Sequence, residues 1–69
     1  MKSEDFELYQ KVRINQPGHL LHGMSATVVG YEDSDSVEVH FDVITSEMMG
    51  YSDTKKGLAI VNCNNLIKI

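Results

Sequence analysis

With one cysteine, Cys63, the chain has no partner thiol for an internal disulfide. A lone thiol suits a reducing compartment better than a secreted setting. Long apolar runs are missing too, and nothing approaches the roughly 20 residues that a membrane-crossing helix needs. The first ten positions include Lys2, Glu4, Asp5 and Glu7, unlike the apolar stretch of a signal peptide. The expectation is a cytoplasmic protein with no membrane association. Basic charge is scarce: ten acidic residues stand against six basic ones, the net charge is −4, and Arg13 is the sole arginine. Phosphate contacts by Lys and Arg dominate most nucleic-acid affinity, which makes nucleic acid the less favoured partner.

Catalytic signatures are missing as well. His19 and His22 stand three apart without a second close-spaced pair, whereas zinc wants three or four converging ligands. His40 falls on the polar side of an alternating segment, where a cross-strand pair is the simpler role. No histidine has a Cys or Ser neighbour in the context of an activated nucleophile. The expectation is a non-enzymatic chain with no cofactor and no metal. At 69 residues it buries only about 60% of its unfolded surface, so its core is small. Such a core must suffice alone or be extended by association, which makes a homodimer plausible.

What is present is alternation. In Val37-Glu-Val-His-Phe-Asp-Val43 the apolar residues fall on one face and Glu38, His40 and Asp42 on the other, as a half-buried strand requires. Lys11–Ile14 predicts a first strand, ended by Asn15-Gln16-Pro17-Gly18, and Met24–Tyr31 a second, with Gly30 marking a bulge or a tight bend. Glu32–Ser36 reads as a hairpin loop. Leu58–Val61 and Leu66–Ile69 complete five strands, separated by the Asn-rich break at 62–65. Residues 1–8 are expected to form an arm or a short turn capped by Ser3, and residues 9–69 a single domain. His19 to Gly23 is a loop whose two leucines should tuck against the core. Closing or half-closing the sheet is how so short a chain hides its edges, so the expected fold is an all-β, five-stranded small barrel.

Lys11-Val-Arg-Ile14, the Pro17-Gly18 loop, Gly23-Met-Ser-Ala-Thr-Val-Val-Gly30 and Val37-Glu-Val-His-Phe-Asp42 together resemble the opening of SH3-like barrels. The pattern is similar to KOW-type domains, to photosystem I reaction-centre subunit IV and to the variable chain of ferredoxin–thioredoxin reductase. The resemblance implies a five-stranded SH3-like small barrel over residues 9–69, with a long loop before the fourth strand. The chain departs from the KOW pattern in lacking its basic RNA-facing residues, and from the photosystem subunit in lacking its basic surface. None of those families' functional residues carries over.

The long segment from Ile44 to Gly57 holds Met48, Met49 and Tyr51 in otherwise polar surroundings. Met and Tyr are enriched at the centres of interfaces, so these three are candidate partner-binding residues, and Tyr9 and Tyr31 are candidates to join them in an aromatic patch. The simpler alternative is a loop that folds back to cap the barrel. The function expected is a protein-binding accessory or regulatory subunit. The alternative is a KOW-like nucleic-acid-binding module using Lys11, Arg13, Lys55 and Lys56 with aromatic Tyr31. Cys63, flanked by asparagines, is expected to be a small buried hydrophobe rather than a reactive thiol.

Overall fold

The structure, a computed structural model, describes residues 1–42 and 57–69. Its elements are β1 (Lys11–Ile14), β2 (Ser25–Tyr31), β3 (Ser36–Phe41), β4 (Leu58–Asn62) and β5 (Leu66–Lys68), with 3-10 turns at Ser3–Asp5 and Cys63–Asn65. All five strands join one antiparallel sheet in the order β4-β3-β2-β1-β5. The protein is all-β, and no α-helix occurs among the described residues. No helix there is long and apolar enough to cross a membrane.

The period of two decides which face is inside. Val12, Ile14, Ala26, Val28, Val37, Val39, Phe41, Val61 and Leu66 project from one face into a common core. Between them Lys11, Arg13, Thr27, Glu38 and His40 stand on the opposite face. Phe6 from the N-terminal arm and Cys63 from the second 3-10 turn complete the core. Lys68 covers Phe6, with its Nζ 5.4 Å from the ring centroid.

Gly30 performs the expected task. Pairing of β2 with β3 runs Ala26 to Phe41 and Val28 to Val39, then resumes at Gly30 with Glu38, leaving Val29 as the extra residue of a bulge. A Cβ on Gly30 would meet the Glu38 side chain at ordinary contact distance.

Four local expectations need correction. Ser3 is not a cap: it lies inside the first turn and is buried, and the Asp5 carboxylate accepts the Lys2 N–H at 2.8 Å instead. Leu20 is exposed while Leu21 packs against the core, because successive side chains of a tight turn cannot both point inward. The second strand starts at Ser25, since the Met24 amide is taken by the Leu21 carbonyl in the preceding turn. The third strand begins one residue early, at Ser36, and ends at Phe41.

Candidate functional site

The arm is positioned by β2. Ser3 N–H donates to the Ser34 carbonyl at 2.8 Å, the Tyr31 hydroxyl donates to the Phe6 carbonyl at 2.6 Å, and Tyr9 N–H donates to the Val28 carbonyl at 2.6 Å. The Val28 amide in turn donates to the Gln10 carbonyl at 2.9 Å. The β1–β2 pairing thus extends to Gln10 and Val28, and the rest of the arm, itself made of turns, is tied to Tyr31 and to Ser34 in the loop after β2. Phe6 is the anchor of this seam, turned into the core by the same path.

Tyr9 is the unusual residue. Gln10 N–H donates to the Glu7 carbonyl at 3.2 Å, which makes Glu7–Gln10 a β-turn, reinforced where the Gln10 Oε1 accepts the Glu7 amide at 3.0 Å. Tyr9 is its third residue and sits at φ 68°, the one non-glycine among the described residues with positive φ. A turn with only that residue left-handed is type II, whose third position normally takes Gly or Asn. The same turn recurs at Gln16–His19 and Leu21–Met24, and there Gly18 and Gly23, both at φ 84°, hold that place. In Tyr9 an aromatic residue occupies a glycine position and its side chain is thrown outward, with the residue 76% exposed.

Leu8, the preceding residue, and Tyr31 on β2 are each about half exposed. Tyr31 lies three residues along β2 from the carbonyl that holds Tyr9, a backbone span of about 10 Å at roughly 3.3 Å per residue. The Tyr31 hydroxyl is committed to the Phe6 carbonyl. Tyr9 and Tyr31 are thus both exposed residues where the arm bonds to β2. Met48, Met49 and Tyr51, like Lys55 and Lys56, lie outside the described residues. Of Phe6 and Leu8, both apolar side chains that call for cover, only Phe6 is buried; Leu8 is left half exposed by the turn at Glu7–Gln10, which nothing in Glu7-Leu8-Tyr9 announces.

Charge is distributed unevenly around the seam. Glu4, Asp5 and Glu7 of the arm and Glu32, Asp33 and Asp35 of the β2–β3 loop are all exposed, and the Ser3–Ser34 bond brings these two segments together. Six of the ten acidic residues therefore share this pole. Lys2 binds Asp35 at 2.7 Å, and that hydrogen bond together with the carboxylate's charge holds the Lys2 pKa above its ordinary value. The Met1 amine donates to Asn64 Oδ1 at 3.0 Å.

On the other face of the sheet, Lys11 is engaged with Asp42 at 2.8 Å. The Lys11 hydrogen bond lowers the Asp42 pKa, with help from the Thr27 hydroxyl, against a smaller opposing effect of burial. Lys11 therefore reaches its carboxylate rather than standing as part of an open basic patch, and Arg13 sits beside Ile67 and Ser25 in the ladder. His19 and His22 each accept a backbone amide at Nδ1, from Leu21 at 3.1 Å and Gln16 at 3.0 Å, which ties them to the architecture of their loop. No group of three or more metal-ligating side chains occurs among the described residues. Burial pushes the Cys63 thiol pKa up, away from thiolate chemistry.

No protein-family model, no curated protein and no solved structure matches this chain.

Proposed function

We propose that this chain is a non-enzymatic, protein-binding accessory or regulatory subunit on an SH3-like small barrel, docking through the seam of Leu8, Tyr9 and Tyr31. One observation carries the reading: Tyr9 occupies a left-handed turn position at a cost of about 1 kcal/mol or more and exposes its ring there. Folding alone favours glycine at that place. A strained residue whose side chain faces solvent has its use outside the fold, and tyrosine is an effective interface anchor.

The barrel reading has separate support. In the order β4-β3-β2-β1-β5 the last strand returns to pair with the first, and a 3-10 turn joins the last two. Val12, Ala26, Val28, Val37 and Val39 are inaccessible on one face of a single sheet, with no second layer among the described residues. A flat sheet leaves such a face wet; a sheet coiled on itself, bent at the Gly30 bulge, encloses it. A cytoplasmic setting fits the single buried thiol.

Affinity capture from native lysate, with nuclease present, tests the reading by comparing the wild-type chain with Tyr9→Gly. The expected result is a stoichiometric protein that survives nuclease and is lost with the variant. Capture unchanged by Tyr9→Gly removes the seam from the function, and capture abolished by nuclease transfers it to nucleic acid.

A further inference from the structure

We infer that the occupant of the Leu8–Tyr9–Tyr31 seam is a lysine- and arginine-bearing segment of a partner protein, an assignment that rests on the docking reading above. Acidic residues flank Leu8, Tyr9 and Tyr31 along the chain. Glu7 immediately precedes Leu8, and Glu32 immediately follows Tyr31. Asp33 and Asp35 continue from Glu32 around the hairpin, and Glu4 and Asp5 precede Phe6 on the arm. The Ser3–Ser34 and Tyr31–Phe6 hydrogen bonds hold these two acidic runs alongside each other.

Among the described residues, three positive groups lie at this pole and each is already engaged. Lys2 is on Asp35, the Met1 amine is on Asn64, and Lys68 is over the Phe6 ring. The Asp5 and Asp33 carboxylates accept the Lys2 and Asp35 amides at 2.8 Å, which steadies the rim without neutralising it. Such a border repels the other candidate occupants. A second copy brings the same acidic pole, while nucleic acid and anionic lipid bring phosphates. A cationic segment gains twice, through ion pairs at the rim and through Lys or Arg stacking on the tyrosine faces. Tyr31 is suited to that stacking, because its hydroxyl is committed to the Phe6 carbonyl and its ring is half exposed.

The test uses the full chain and three pools of random dodecapeptides of equal apolar content, one basic, one neutral and one acidic. Binding is read by fluorescence anisotropy. The basic pool should bind best and weaken about tenfold or more between roughly 50 and 500 mM salt, as exposed charges are screened. Glu7→Gln, Glu32→Gln and Asp33→Asn should each weaken it about two- to fivefold, the range of an exposed ion pair. Tyr9→Gly, which the turn geometry favours for folding, should abolish it.

Equal binding of all three pools, lost with Tyr9→Gly, overturns the charge assignment and leaves the docking surface standing. Binding that ignores Tyr9→Gly overturns both. Concentration-dependent self-association abolished by Tyr9→Gly overturns the cationic occupant in favour of a second copy.

Discussion

Replacing Tyr9 by glycine and, separately, by alanine isolates the demand of the backbone from that of the ring. At φ 68° a non-glycine residue carries about 1–2 kcal/mol of strain. Glycine removes it but loosens the unfolded chain by about 0.5–1 kcal/mol. Alanine keeps the strain. Both variants lose the ring, of which about a quarter is covered, since Tyr9 is 76% exposed. A tyrosine that buries about 200 Å² in full covers about 50 Å² here, worth about 1 kcal/mol at roughly 25 cal/mol per Å². That figure is an upper bound, because the unfolded chain already covers part of the same surface.

Tyr9→Ala should therefore lose about 1 kcal/mol, and Tyr9→Gly should exceed it by about 0.5–1 kcal/mol, close to wild type. In a domain of this size that gap amounts to about 2–8 °C in Tm. Urea denaturation of the three proteins measures it directly. If alanine equals or exceeds glycine, residue 9 is not held left-handed in solution. If both variants fall more than about 2 kcal/mol below wild type, beyond what the covered area can supply, the ring is structural and its exposure has no functional meaning.

Phe6→Ala should cost about 3–5 kcal/mol, a large share of the roughly 3–10 kcal/mol available to a chain this short; a loss under about 1 kcal/mol in chemical denaturation would show that the arm is not seated in the core. Stability should respond to pH at both ends. The Asp42 pKa is lowered in the folded state, so its contribution is present above the unfolded carboxylate's titration and disappears as pH falls through the folded one, and the Lys11→Met variant should flatten that acid limb. The Lys2 pKa is raised, so its contribution is full below the ordinary lysine range and is lost as pH climbs through the folded value, a limb that Asp35→Asn should remove. Cys63 should resist alkylation in the native protein and react promptly in urea, and rapid native labelling would contradict its burial.

How much of this was readable from the residues depends on distance along the chain. Lys11–Ile14 and the alternation from Val37 to Phe41 declare themselves because a strand's inside and outside are written in its own residues. The Gly30 bulge and the break at Asn62–Asn65 are local backbone chemistry, and both lie where the residues suggest. The arm is different. Its path depends on the Phe6 carbonyl meeting the Tyr31 hydroxyl and on Tyr9 meeting Val28, and neither contact leaves a trace in either segment's pattern. The left-handed turn was invisible because a tyrosine stands where glycine would have signalled it. The acidic pole was hidden for the same reason: Glu4–Glu7 and Glu32–Asp35 look like two ordinary solvated runs until the fold sets them side by side.

The return of β5 to β1 also orders events in time. Pairing Tyr31 with Val37 closes a short hairpin, whereas pairing Ile14 with Leu66 closes most of the chain. The entropy of that longer closure exceeds the hairpin's by about 2 kcal/mol. The meander of β1, β2 and β3 can therefore assemble first, with β5 docking on the downhill side of the barrier. Truncating Leu66 should then accelerate unfolding and leave the refolding rate nearly unchanged, while truncating Val37 should slow refolding. In that case the contacts of β5, absent from the barrier, govern how long the native protein survives before it unfolds.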